Sequence, residues 1–560
     1  MSEKKSFALN RRTFMAGSAT IAGVSALASS LPMRAAYALD SFREGPVVET
    51  TYGKLKGLVD GDVKVFRGIR YGADTGGLNR FMPPKAPASW SGVVEAFQFG
   101  PIAPQFDPTK PRSKNPFYPI DPANLPENED CLRLNVYSKS LDKGAKQPVM
   151  VYYHGGGFSS GAGSIPMYYG ENLARKGDVV VVTINHRLNV FGFTYLGKLL
   201  EREFTTSGNV GMMDGVAALE WVRDNIENFG GDPNNVTIFG ESGGGSKVSM
   251  LMAMPAAKGL FHRAIIESGP GVRMGDADRS SKATEMLLKE LDIRLDKARS
   301  IQQVPMEQVL AAYFAVSPKV GFGGGFSPIM DGVSLPRQPF APDATPVSED
   351  VPLLIGTNHD EGTIFLGGTF MAPELDDYKL SPAQLNMDEA GLKRIVSSFR
   401  GLDVDKAIKS YRKANPKATP WELAVAIQTD WMMRVNSTIL AERKAALGKA
   451  PVYMYRFDHV TKKLGGHMGS PHTLDVPYVF NTLANVPWLV EDNAENRTMA
   501  DTMTATWAAF AKTGNPNNPN LPNWPAYNAK SRETMILDNK SKVEKDPGGA
   551  QRKLLAKVLA

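Results

Sequence analysis

The sequence predicts an α/β domain, a mostly parallel central sheet with helices on both faces and long loop and helical insertions. Three observations point there. Residues 149–153 and 179–184 are short, unbroken apolar runs rich in β-branched residues, the pattern of strands buried on both faces of a parallel sheet. Between residues 214 and 229, Val216, Leu219, Val222, Ile226 and Phe229 recur every three to four positions, as on a helix that covers such a sheet. No internal repeat or low-complexity linker interrupts the chain, so residues 39–560 read as one elaborated domain. With 42% hydrophobic and 22% charged residues and one cysteine in 560, the composition excludes a disordered chain and a disulfide scaffold.

The first element in chain order is an address label. Lys4, Lys5 and Arg11-Arg12-Thr13-Phe14-Met15 precede an Ala- and Ser-rich apolar run from Ala16 to Leu31, and Ala36-Tyr37-Ala38 supplies a small-x-small cleavage site. The arginine pair resembles the twin-arginine export signal, so the expectation is export to the periplasm or beyond, with cleavage after Ala38. A membrane anchor is the poorer reading, because glycines and serines dilute the run, and no later segment is apolar enough to span. The chain carries 64 Lys+Arg against 58 Asp+Glu; residues 1–38 hold five of the former and one of the latter, which leaves 59 against 57. A nucleic-acid partner thereby loses its main support.

Eight prolines between Pro101 and Pro126 predict a long, stiff surface loop. The strands at 149–153 and 179–184 follow. The helix of 214–229 stops at Gly230-Gly231-Asp232-Pro233. A strand at 236–239, a glycine-rich turn at 240–245 and a helix at 246–254 come next, with further strands at 352–355 and 452–457.

Gly240-Glu241-Ser242-Gly243-Gly244 is a G-x-S-x-G motif set directly after a strand and before a helix. There a strained turn thrusts the serine hydroxyl clear of the backbone. A phosphate loop is excluded, because Gly245-Ser246-Lys247 has the wrong order and spacing. A nucleophilic serine needs N–H donors for the oxyanion it creates. In α/β-hydrolases one is the residue after the serine, here Gly243, and the others lie on a glycine-rich loop after an earlier strand. His154-Gly155-Gly156-Gly157-Phe158 fits, with Gly156 and Gly157 as donors.

Of seven histidines, His154 and His186 precede the serine and drop out of the serine, acid, histidine order. His262 reads as part of a helix packing on the sheet. His359 and His459 sit at or just past strand ends, where a surface role is the default. His467 and His472 remain, both on one loop, and position does not choose between them. With no His-x-x-x-His or Glu-x-x-His cluster, metal-ligand spacing is missing, and no cofactor is expected.

Longer motifs carry a resemblance. Glu129-Asp130-Cys131-Leu132-Arg133-Leu134-Asn135-Val136-Tyr137, Asn185-His186-Arg187-Leu188-Asn189-Val190-Phe191-Gly192, Gly208 to Asp214, Asn228 to Pro233, Phe239 to Gly245 and His472 to Phe480 all resemble type-B carboxylesterases, the family of cholinesterases and bacterial para-nitrobenzyl esterase. The similarity runs from about Val47 to the 514–524 segment. It implies an α/β-hydrolase fold and a serine hydrolase that cleaves a small carboxylic ester through an acyl-enzyme. It makes His472 the base and Glu361 the acid, with Asp360 the neighbour to rule out. Glu241 would share a buried polar network, and Ser268 matches a family serine near the site, with structural hydrogen bonding the preferred reading. The family also includes non-catalytic adhesion proteins, but here the triad and glycine cage are intact. Amides, carbamates and lactones share the chemistry.

The departures are informative. The position after the nucleophile, usually Ala, is Gly243. The family's disulfide partner for Cys131 is replaced by Ala103 in Gly100-Pro101-Ile102-Ala103-Pro104-Gln105, so the usual cross-link of the active-site loop is absent. Where cholinesterases carry a tryptophan for the choline headgroup, that loop offers only Phe106, Phe117 and Tyr118, so the resemblance does not extend to a preference for choline esters. The acyl and alcohol pockets are expected from loops in 101–126, 321–326, 365–440 and 458–471.

Overall fold

A computed structural model describes residues 42–110, 125–200, 202–321, 325–367 and 382–560. The leader, Phe117, Tyr118 and parts of the pocket loops lie outside them. Thirteen strands form one sheet: β1 (Arg43–Thr50), β2 (Gly53–Asp60), β3 (Val63–Arg70), β4 (Val93–Glu95), β5 (Arg133–Ser138), β6 (Gln147–Tyr153), β7 (Val180–Ile184), β8 (Gly231–Glu241), β9 (Arg263–Glu267), β10 (Leu353–Asn358), β11 (Val452–Phe457), β12 (Glu533–Leu537) and β13 (Lys542–Lys545). Their order is β1-β2-β3-β5-β7-β6-β8-β9-β10-β11-β12-β13, with β4 beside β2. From β7 to β12 every neighbour pair is parallel, and antiparallel strands flank this centre on both sides.

Alternation along the strands divides the core into two layers. Val149, Val151 and Tyr153 of β6 face one apolar cluster, with Leu353 and Ile355 of β10; Met150, Tyr152 and Leu354 face the other. Met212, Val216, Leu219 and Val222 from the helix Val210–Asn225 cover the first layer. Met503, Trp507 and Phe510 from the helix Ala494–Thr513 cover the second. Each such side chain contributes roughly 1.5–3 kcal/mol when fully buried, which makes this two-sided covering the main stabilising term.

The chain passes from β6 to β7 on one side and then crosses back to β8 on the other. In open α/β sheets the crevice at such a reversal, outside the carboxyl ends of the strands, is where ligands bind. Register aligns those ends into one rim: Tyr153 pairs with Gly240, Glu241 with Glu267, Glu267 with Gly356, and Asn358 with Phe457.

Several local expectations need correction. The helix after the motif begins at Gly243, not 246, because the glycines' weak helix propensity is overridden by packing. His262 is not helical; it precedes β9, where its N–H donates to the Val236 carbonyl and its Nδ1 accepts from the Val236 N–H. His459 is buried, with Nε2 2.7 Å from Asn496 Oδ1, because the helix Ala494–Thr513 covers the end of β11.

Candidate active site

Ser242 stands where β8 ends and the helix Gly243–Leu251 begins, with φ 58° and ψ −122°. A non-glycine residue in that region costs on the order of 1–3 kcal/mol, so its surroundings must hold it. They do: the Ser242 N–H donates to the Glu267 carbonyl at 2.9 Å, and its own carbonyl accepts from the Ser246 N–H. Strand and helix meet so tightly that a Cβ on Gly244 would lie 1.9 Å from the Tyr153 carbonyl oxygen.

The glycine loop lies directly beneath. A Cβ on Gly155 would come within 3.5 Å of the Ser242 Cβ. Gly156 and Gly157 turn through φ 85° and 61°. In a trans peptide the carbonyl and the following N–H point to opposite sides. The carbonyl of Gly155 lies 2.8 Å from His154 Nδ1, and that of Gly156 accepts from the Ser159 and Ser160 N–H groups. Held there, these carbonyls leave the N–H groups of Gly156 and Gly157 on the opposite side. Gly243 opens the helix, so its N–H has no carbonyl of its own helix to meet.

Glu361 follows β10 and is wholly buried. Its Oε2 is 2.5 Å from His472 Nδ1, while Oε1 accepts from the Ser268 hydroxyl at 2.5 Å and from the Asn358 N–H at 2.7 Å. The neighbouring Asp360 turns away and holds His359 and the Ser470 N–H. On the other side of the ring, His472 Nε2 lies 3.2 Å from Glu241 Oε1, so that nitrogen faces the turn that carries Ser242. Phe365 packs on the imidazole, ring centroids 4.9 Å apart. His467, the alternative on the same loop, is exposed.

The site concentrates buried acids. Burial pushes Glu241 up to about 8. For Asp475, burial and the nearby Glu361 raise the carboxyl to about 6; it accepts from the Tyr455 hydroxyl at 2.9 Å. Glu267, held by the Trp507 indole N–H, is raised further by burial and by Asp475. For His472 burial opposes the charged ring, but Glu241 and Glu361 outweigh it and lift the imidazole to about 9. The two carboxyl groups flanking the ring favour its charged form.

The sequence model of the carboxylesterase family matches residues 44–554. The chain belongs to this family. It is a carboxylic ester hydrolase of the α/β-hydrolase fold. The esterase is 36% identical to the para-nitrobenzyl esterase of Bacillus subtilis (strain 168) over 515 residues, 91% of this chain and 98% of that one. It is 31% identical to the phenmedipham hydrolase of Pseudarthrobacter oxydans, covering 90% and 97%. Among solved structures, the Geobacillus stearothermophilus carboxylesterase at pH 6.2 superposes with a TM-score of 0.78 at 37% identity, over 91% of this chain and 99% of that one.

In this esterase the structure gathers Ser242, Glu361, His472, Gly156, Gly157, Gly243, Glu241 and Ser268 at one end of the sheet, Ser268 in direct contact with the acid. Asn358 and Asp475 were not singled out by sequence, although Asp475 lies only three residues beyond His472. The esterase closes its proline loop without a disulfide. Cys131 is a free, buried thiol and Ala103 is buried. The loop's base is stitched by a bridge between Ile102 and Glu127, and the Glu127 carboxylate takes the N–H groups of Gln105 and Phe106 at 2.5 and 2.9 Å. Among the described residues no helix is long and apolar enough to cross a membrane, and no group of three or more metal-ligating side chains forms.

Proposed function

We propose that Ser242, His472 and Glu361 carry the ester hydrolysis. His472 takes the Ser242 proton as the hydroxyl oxygen attacks the ester carbonyl. The N–H groups of Gly156, Gly157 and Gly243 receive the oxyanion, and the imidazolium, steadied by Glu361, returns its proton to the departing alcohol as the carbon–oxygen bond breaks. Water then attacks the acyl-enzyme with His472 again as base. The carboxylic acid leaves as the bond to the Ser242 oxygen breaks, and the serine regains its proton. The observation that supports this most is the ring held between Glu361 and the elbow turn, with Nδ1 2.5 Å from Glu361 and Nε2 facing the serine's turn. The relative named for para-nitrobenzyl esters makes that ester class the first choice of assay. A folded Ser242→Ala variant should lose nearly all hydrolysis of such an ester; turnover equal to the unaltered protein would overturn the assignment.

The leader supports export by a twin-arginine route. The mature chain is expected to start at Leu39, nearly neutral and without a nucleic-acid partner. The mass of the exported protein's amino terminus tests the cleavage, and Arg11→Lys with Arg12→Lys should retain the precursor inside.

A further inference from the structure

Lys247 is fully buried one turn into the helix that starts beside the nucleophile. Burial draws its ammonium down to about 7. A lysine there also faces the positive end of the helix dipole, so the position is unfavourable for a cation on two counts. Its Nζ donates to the His154 carbonyl at 2.8 Å, and the Phe158 ring centroid lies 5.8 Å away.

The location explains the contact. Lys247 lies four residues after Gly243 and three after Gly244, hence on the helix face that those glycines press against the loop. A Cβ on Gly243 would lie 2.1 Å from the Gly157 carbonyl oxygen, so helix and loop already touch backbone to backbone. The His154 carbonyl opens a run of three consecutive carbonyls that are each gripped: His154 by Lys247, Gly155 by the His154 ring, and Gly156 by the Ser159 and Ser160 N–H groups. The last two belong to the peptides that carry the N–H groups of Gly156 and Gly157.

We propose that Lys247 is a positioning residue for the oxyanion loop, clamping the His154 carbonyl so that the donor peptides and the serine on the same helix are held as one rigid unit. This rests on the catalytic reading above, which assigns Gly156 and Gly157 as donors. The Nζ hydrogen bond can be donated by the amine as well as by the ammonium, and it gives the glycine run, which has little stiffness of its own, a fixed origin.

The test compares a p-nitrophenyl ester with its thiono counterpart, in which a sulfur replaces the carbonyl oxygen and accepts hydrogen bonds poorly. Purified Lys247→Met and Lys247→Gln are assayed beside unaltered protein and Ser242→Ala, with folding checked by thermal melting. The expected result is a fall in ester kcat of about tenfold or more, with KM changed less than about threefold. The thionoester rate should fall much less, so the ester-to-thionoester ratio collapses. A folded variant whose ester kcat stays within about twofold of unaltered protein overturns the proposal. So does an equal fall on both substrates, which marks a merely structural role. If the Met variant does not fold, the ratio in the Gln variant decides by the same criteria. Full activity in Ser242→Ala would instead defeat the underlying catalytic reading.

Discussion

The hydroxyl of Ser268 donates to Glu361 Oε1 at 2.5 Å, on the oxygen that His472 does not use. Glu361 thus divides its two oxygens between Ser268 and His472, and the Asn358 N–H joins Ser268 on Oε1. Ser268→Ala removes a bond to a charged acceptor worth about 1.5–3 kcal/mol. The expected outcome is a fall in kcat of about tenfold or more with little change in KM, measured by steady-state ester hydrolysis.

Glu361 and Asp360 are adjacent in sequence but serve different partners. Glu361→Gln keeps the shape but removes the negative charge beside the imidazolium, and kcat should fall about 100-fold or more. Asp360→Asn retains an oxygen for the Ser470 N–H and should stay within about threefold of unaltered protein. The reverse ranking would exchange the two roles.

With His472 as the proposed base, Glu241 is expected to set the acid limb of the pH profile. Its carboxylate raises His472. Activity requires the neutral ring, so it rises with pH through the His472 pKa. Glu241→Gln removes this raising influence and should move the acid limb of kcat/KM to lower pH by about one unit. An unmoved limb would show that Glu241 does not face the titrating ring.

Gly243 opens its helix hard against the glycine loop. Here a methyl group would meet the Gly157 carbonyl oxygen at 2.1 Å, a backbone atom that moves only if the loop moves. Gly243→Ala should therefore lower kcat by about tenfold, with a small effect on KM. A crystal structure of the variant would show the loop displaced; retained kcat would mean that the loop yields without loss.

The proline loop is closed by Glu127 rather than by sulfur. Strong reductant should leave activity unchanged, and Cys131→Ala should behave likewise apart from a modest loss of stability. Glu127→Ala frees the N–H groups of Gln105 and Phe106 and should lower the melting temperature by several degrees.

Much of this site could be read from sequence because its signals are local. The serine turn needs only a strand, two glycines and a helix in succession, and these are contiguous. The parallel centre was legible for a similar reason: strands buried on both faces are nearly continuous apolar runs, as in β7, where every residue is buried and only Thr183 is polar. What escaped depends on contacts between distant segments. His467 and His472 share one loop, and only folding buries one and exposes the other. His459 looked like a surface residue until a helix from 35 positions onward covered it. The flanking strands β1 to β3 mix buried positions with partly or fully exposed ones and lack an unbroken apolar run, so periodicity alone did not reveal them. Lys247 entered the sequence reading only as a lysine in the wrong place for a phosphate loop, since nothing nearby in sequence marks it as buried.

The alignment of strand ends has a kinetic consequence. Ser242, Glu361 and His472 arrive from strand ends separated by long stretches of chain, and the Glu361 to His472 contact alone spans 111 residues. Contacts of such separation close late, because loop-closure entropy must be met before they form. On refolding from denaturant, helical signal and collapse should therefore return well before hydrolysis does. Recovered turnover would then count molecules whose sheet is complete from β6 to β11.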